Sequence, residues 1–477
     1  MAYKTGDREQ KTFLPPVIDD YVSREDPVRV YDTFVNALDF QELGIPIEQC
    51  RAGAHEYYPR EMLKLFIYGY SYGIRSSRKL ERACHHNLSF IWLTGGLKPD
   101  YRTISRFRSK HKKAINKVLK QCVRMCIELD LIEGNTLFVD GSAFRGNASI
   151  KNTWTKERCE KRLKKVDDEI DRLLEEAERI DQVEENQESL IKIKEELQDK
   201  EELEKKIKEI AATLKELSRR SHNTTDSGCV KVKSRQGTHA GYNVQIVVDK
   251  KHGLIVHGEA SSRSQDANQF SEQVTKASSA LGKKPEIVSS DSGYHSLEDL
   301  EKVDEDITIV MPSQKQAQKE HGHSLGEFDK ERFRHDPDKD EYICPAGKRL
   351  KYIRHNNVKG SKQYKAKGSE CRGCRHFGVC TKSRNGRTVS RLDQEELMEQ
   401  LESIYQSPEG QEIYKLRGQK AELPFGHMKR NLGAGQFMLR GRAKANAEVS
   451  ILSTCFNISR MITLIGIPTL ILKLNGA

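Results

Sequence analysis

Residues Gly241 to Ala260 read GYNVQIVVDKKHGLIVHGEA, and this stretch decides the fold class. Two apolar, β-branched runs flank the polar turn DKKHG, the pattern of a β-hairpin. Downstream, the sequence predicts a helix from about Asp266 to Leu281 and a strand ending in DSG within Glu286 to Gly293. A helix near Leu297 and a strand DITIVMP follow. Upstream, LFVDGS (Leu137 to Ser142) is a short apolar strand flanked by Gly134 and Gly141. With that strand placed first, three strands precede the first helix. This order predicts an α/β domain, a mixed sheet with helices packed on it, interrupted by insertions.

The segments around this core differ in composition. Residues 1–134 are read as all-helical. REMLKLFIYGYSY (Arg60 to Tyr72) and Ser77 to Asn87 are apolar-periodic and separated by GIRSS, a turn of helix-turn-helix size. Pro99 and Asp100 open one longer helix running to about Leu129. Its first part, YRTISRFRSKHKKAINKVLK, carries eight Lys or Arg and no acid. Ile104, Phe107, Ile115, Val118 and Leu119 keep one face for a core. The basic residues Arg102, Arg106, Arg108, Lys110, Lys112 and Lys113 then form either a solvated face or a phosphate-binding one. Their position beside the helix-turn-helix-like segment favours phosphate.

Residues 151–220 turn abruptly to Lys, Glu and Leu. Leu163, Val166, Ile170, Leu173, Ala177 and Ile180 step 3-4-3-4-3, a coiled-coil seam. The pattern lapses near residues 182–189 and resumes through Leu203, Ile207, Ile210, Leu214 and Leu217. This predicts an inserted helical hairpin between two parts of the sheet domain, 135–150 and 221–320. Residues 321–392 read as a second, loop-rich insertion, and 393–477 as a helical return to the core.

The chain has 477 residues, too many for one ordinary core. Its 81 Lys and Arg against 70 acids give +11, a balance that favours a polyanionic partner. Met1 to Pro16 is polar and shows no secretory leader. MITLIGIPTLILKL (Met461 to Leu474) is too short to span a bilayer and is read as a buried helix or strand. No membrane role and a cytoplasmic location, with reduced thiols, are therefore expected.

Of the 11 cysteines, Cys344, Cys371, Cys374 and Cys380 follow C-x26-C-x2-C-x5-C. Four thiols with one C-x2-C pair suit a structural Zn²⁺, with His376 inside the knuckle as a substitute ligand. Lacking a core of its own, such a segment would gain stability from the metal. Cys50, Cys84, Cys122, Cys126, Cys159, Cys229 and Cys455 stand singly and are read as small hydrophobes.

Asp140, in LFVDGS, and Asp291, in SSDSGYHS, are both read at strand tips. A strand tip delivering a carboxylate is costly unless something offsets the charge. A turn-capping role is the alternative for either alone. Two in one α/β domain suit Mg²⁺ or Mn²⁺, because two-metal phosphoryl chemistry needs about three converging carboxylates. Asp226 (HNTTDSG) and Asp249 (VVDKKHG) are assigned to turns.

Residues Tyr414 to Lys429, YKLRGQKAELPFGHMK, resemble the Tyr-Arg-Glu-Lys motif of bacterial insertion-sequence DDE transposases. VDGS around Asp140, GYNVQIVVD, DSGY around Asp291 and PFGHMK are similar to that family's other motifs, and PDYRTISRFR to its helical DNA-binding domain. One branch also carries a Cys knuckle before the Glu helix. The resemblance implies a ribonuclease H-like catalytic domain with Asp140, Asp291 and Glu422 holding two metal ions. It implies Tyr414, Arg417 and Lys429 as phosphate-positioning groups. It also implies double-stranded DNA partners, namely terminal inverted repeats and target DNA, and a homodimer or higher synaptic oligomer near the nucleoid. Here four residues rather than three separate Arg417 from Glu422, which turns Arg417 by about 100° around the helix. Glu412 is the rival third acid, with a poorer spacing to Lys429. A nuclease without strand transfer and a non-catalytic DNA-binding descendant are the alternative readings.

Overall fold

The computed structural model describes residues 17–47, 56–181, 187–217, 219–234, 236–320, 326–357 and 360–476. Met1 to Pro16, Cys50 and most of the turn expected near 182–189 lie outside these. The chain divides into two compact units. One comprises Met1–Asp266, Glu272–Pro285 and Arg417–Ala477, the other Ala267–Ser271 and Glu286–Leu416.

The first unit opens with α1 (Val28–Asn36), α2 (Phe40–Leu43), α3 (Pro59–Ser71), α4 (Ser77–His86), α5 (Leu88–Leu93), α6 (Tyr101–Lys110) and α7 (Lys112–Glu128). The single long helix expected from Asp100 is thus two. Asp100 caps α6 by accepting the Thr103 N–H at 2.7 Å, and His111 leaves helical geometry between the two. Ile104, Ile115, Val118 and Leu119 are buried as expected.

Then come β1 (Thr136–Arg145), the short β2 (Thr153–Trp154), α8 (Lys156–Asp181), α9 (Gln187–Glu216) and β3 (His222–Asn223). The two long helices pack through Val166, Ile207 and Leu214, joined by Cys159, as the 3-4 spacing dictates. Leu217, at the end of the expected seam, is exposed. At their base β2 pairs with β3.

The sheet of this unit adds β4 (Val230–Ser234), β5 (Gly237–Asp249) and β6 (Ile255–Ser261), all antiparallel. β5 and β6 are the hairpin of the opening sequence. β4 carries no clear strand signal, because its KVK alternation reads as polar. The chain continues through α10 (Phe270–Leu281).

The second unit holds β7 (Ile287–Ser289), α11 (Leu297–Leu300) and β8 (Thr308–Val310). β7 and β8 are parallel, which with the antiparallel strands makes the architecture a mixed α/β one, as expected. α12 (Gln314–Glu320) leads into five further strands: β9 (Arg334–Asp336), β10 (Glu341–Ile343), β11 (Arg349–Asn356), β12 (Ser361–Ala366) and, after α13 (Gly368–Arg372), β13 (Thr388–Leu392). They form one antiparallel sheet in the order β13-β12-β11-β10-β9. The expectation of a loop-rich segment without a core is therefore corrected. Phe333, Tyr342, Leu350, Tyr364, Ala366 and Val389 build a core on one face, while the alternate positions are largely Lys and Arg. That basic face masked the period-2 signal.

α14 (Glu395–Gln406) follows, and α15 (Pro408–Arg430) crosses the division between units at Arg417. The first unit closes with α16 (Arg442–Ile465) and α17 (Ile467–Asn475). Among the described residues α16 alone is long and apolar enough to cross a membrane, and it is mostly buried. It packs on α3, α7 and β6, its Asn457 accepting the Ile255 N–H at 2.8 Å. The stretch 461–474 is split at Gly466 (φ 83°), and α17 buries only Leu470 and Leu474.

Candidate functional site: a carboxylate between two cations of one helix

Asp140 lies mid-strand, not at a strand tip as read from the sequence. Gly141 and Ser142 continue the ladder, opposite Gln245 and Val244 of β5, so the glycine does not end β1. Strand alternation puts Phe138, Asp140, Ser142 and Phe144 on one face, and α15 supplies side chains to that face. Phe425 packs against Phe144 with ring centroids 6.1 Å apart.

Two cations of α15 meet this face. Arg417 Nη1 is 3.9 Å from Asp140 Oδ1, which also accepts the Gly141 N–H at 2.9 Å. Lys429 Nζ donates to Ser142 Oγ at 2.6 Å and stands 4.7 Å from the Phe144 ring centroid. Burial holds the Lys429 ammonium below the usual lysine range, and the negative charge of Asp140 opposes that shift. Asp140 itself is only 9% exposed.

Glu422 is exposed on α15. Five residues from Arg417 amount to about 140° of helix rotation, whereas seven to Lys429 return to within about 20°. The helix surface next to Glu422 is open. Gly418 and Gly426, one turn before and one turn after it, would each project a Cβ into open space. Two glycines inside a helix cost about 1 kcal/mol each relative to alanine, and Pro424 removes a further backbone donor. The helix is therefore not optimised for its own stability at this point. The G-x3-E-x3-G spacing is a signal that the sequence carries, whereas Ser142 and Phe144 have none.

Asp291 belongs to the second unit. It stands two residues after the end of β7 and caps the turn Ser292–Tyr294, accepting the Gly293 N–H at 2.8 Å. Tyr414, also in that unit, packs edge-on against Tyr405 at 5.1 Å. Glu412 is exposed. Asp226 and Asp249 serve turns: Asp226 accepts from Gly228 N–H and Tyr242 O–H, and Asp249 from Gly134 and Lys251 N–H.

Of the basic residues on α6 and α7, Arg102, Arg106, Lys110 and Lys113 are exposed and Lys112 is half-buried. Arg108 is turned inward, which corrects its reading as a surface cation. It is 7% exposed, lies over the Phe66 ring and donates to Tyr70 Oη and to the Arg75 carbonyl. Arg75 in turn donates to the Gly433 and Gln436 carbonyls and pairs with buried Glu448 at 3.5 Å. This clasp ties the turn after α3 to the loop following α15.

Cys344, Cys371, Cys374 and Cys380 line one cavity of about 30 Å³, with His376 at its wall. The Lys348 N–H points to Cys344 Sγ at 3.2 Å and the Arg387 N–H to Cys371 Sγ at 3.5 Å. Among the described residues no three His, Cys, Asp or Glu side chains stand in a ready metal-ligating group.

Two family models match. A transposase domain (DUF772) covers residues 16–110, and a transposase DDE domain covers 343–462, including Arg417, Glu422 and Lys429. Comparison with the curated proteins and with the solved structures finds no match. A transposase domain over the N-terminal helices and a DDE domain over the helix that brings Arg417 to Asp140 and Lys429 to Ser142 support an insertion-sequence DDE transposase.

Proposed function

We propose that this transposase cuts DNA at the ends of its insertion sequence and joins the freed ends to target DNA, with Asp140, Asp291 and Glu422 as catalytic carboxylates. The observation that carries this reading is the convergence of Arg417 and Lys429 on the β1 face that bears Asp140. A part-buried carboxylate set against cations can bind phosphate and a hard metal together. The oxygen donors of the three acids fit Mg²⁺ or Mn²⁺. When bound, two such ions supply positive charge at the attacking and departing oxygens of the phosphodiester.

The chain's own residues do the rest. Arg417 offers a bidentate fork to phosphate and Lys429 a point charge, and Tyr414 belongs to the same helix. The half-buried setting of Lys429 strengthens its hold on an incoming anion, since little water screens it. Arg102, Arg106, Lys110, Lys112 and Lys113 bind the backbone of the terminal inverted repeats; Arg108 has no part in this. Cys344, Cys371, Cys374 and Cys380 would hold a structural Zn²⁺, which would brace the loops beside their sheet. The protein acts as a dimer or larger synapse, with α8 and α9 as a contact arm, at the nucleoid in the cytoplasm.

The test is incubation of the purified protein with labelled element ends, a target plasmid and Mg²⁺. Joined products are expected. Cleavage without joining would instead mark a nuclease, and a shifted but uncut band a DNA-binding descendant. Asp140→Ala should abolish the chemistry and spare binding; if that variant still cuts, the carboxylate assignment is wrong.

A further inference from the structure

Residues 348–367 read KRLKYIRHNNVKGSKQYKAK, eight Lys or Arg with no acid. This equals the count in the basic stretch at 101–120, yet its described residues lie on and beside β11 and β12 of the second unit. There the open face of the sheet forms a cleft of about 590 Å³, walled by Lys348, Arg349, Lys351, Lys365 and Lys367 against a single acid, Glu370. Lys351 stands directly opposite Lys365 in the ladder. Like charges paired across strands are destabilising, and at about 8 Å the physiological Debye length leaves such neighbours poorly screened.

The surrounding acids do not cancel this charge. Glu341 serves both Arg349, at 3.1 Å, and Lys351, at 3.7 Å. Among the described residues no acid forms an ion pair with Lys348, Lys365 or Lys367. At the rim Gly347 takes φ +74° with open space where a Cβ would be, so a partner's backbone can approach closely. A sheet that keeps repelling cations around an open cleft is stable enough to fold but is better satisfied with a polyanion in place.

We propose that this cleft is a second DNA-binding surface, holding the phosphodiester backbone of duplex DNA through Lys348, Lys351, Lys365 and Lys367. The inference rests on the reading of the chain as a DNA-acting transposase and adds a contact on residues outside α6, α7 and the carboxylates. The lysines act as point charges, so the contact is independent of sequence and supplies affinity through counterion release.

The experiment is fluorescence anisotropy of a labelled duplex of unrelated sequence, titrated with the full chain over a range of salt and without added Mg²⁺. Lys348→Glu, Lys365→Glu and Lys367→Glu combined should weaken binding at low salt at least tenfold. The slope of log affinity against log salt should become shallower by about 3, since each phosphate contact contributes about 0.9. The corresponding triple Lys→Arg variant should keep both slope and affinity. If the Glu triple melts below the wild type, the triple Lys→Gln variant decides by the same slope. An unchanged slope overturns the cleft while leaving the transposase reading in place. A wild-type chain that binds no duplex at any salt overturns both.

Discussion

Arg417 reaches from α15 to Asp140 on β1, its Nη1 3.9 Å from the carboxylate Oδ1. One extra residue separates Arg417 from Glu422 relative to the common form of the motif. Arg417 faces Asp140, and helix rotation sets Glu422 about 140° round from Arg417, on the side of the helix that carries Lys429. The arginine is thus positioned by the sheet rather than by register with the glutamate. Arg417→Gln is expected to leave binding of element ends within twofold and to slow cleavage by about 10². Parallel anisotropy and single-turnover cleavage measurements check this; an equal loss in both would mean that Arg417 only anchors DNA.

The open helix surface next to Glu422 gives a second expectation. Gly418→Ala and Gly426→Ala should each stabilise the helix by up to about 1 kcal/mol. Gly418→Leu and Gly426→Leu should fold as well but cut DNA at least tenfold more slowly, because their side chains fill the space beside Glu422. Thermal melting and cleavage assays on the same preparations separate the two effects. Leucine variants that cut at the wild-type rate would show that the glycines keep no space for substrate.

Glu448 accepts the Met438 and Leu439 N–H groups and pairs with Arg75 inside the first unit. Burial pushes its carboxyl above the ordinary range. Removing it strands a buried guanidinium that keeps two carbonyl partners, so Glu448→Ala should cost about 3 kcal/mol. Both tryptophans, Trp92 and Trp154, lie in this unit, so urea unfolding followed by their fluorescence reads the loss. A midpoint within error of the wild type would remove the clasp from the account.

His257 provides a pH signature. Burial lowers its pKa from 6.5 to about 4, against the pull of Glu259 and Glu272 and with the help of Lys276. The folded state therefore resists protonation that the unfolded chain accepts. Stability should be level above pH 6.5 and fall as pH drops from 6.5 toward 4, by at most about 3 kcal/mol from this group. His257→Gln should flatten that part of the stability profile. A variant with the wild-type slope would assign the acid sensitivity to other groups.

For the cysteine cavity, metal analysis of the purified chain should return about one zinc per chain. Cys374→Ser should lower both the zinc content and the melting temperature. A wild type that folds and melts identically after prolonged chelation would leave the four thiols as ordinary core residues.

The fold was legible where one chemical period dominates. The β5–β6 hairpin, the α8–α9 seam and the strands β7 and β8 could all be read, because apolar side chains repeat at the spacing of the element that buries them. The basic β9–β13 sheet was not legible. Its core comes from alternate Tyr, Leu and Val, and the intervening Lys and Arg look like loop.

The sequence by itself determined the mixed α/β class, the cysteine spacing and the helix carrying Arg417 and Lys429, while Asp140, Asp291 and, through the family resemblance, Glu422 stand as its candidate acids. These follow from residue type and local spacing. Tertiary structure alone decided that Asp140 lies mid-strand, that Arg417 of α15 reaches it, and that Arg108 is an internal brace. It also decided that the lysines of β11 and β12 face one another across a cleft. Each of these depends on which face of an element meets another element far away in the chain. Local periodicity does not encode that choice; packing makes it.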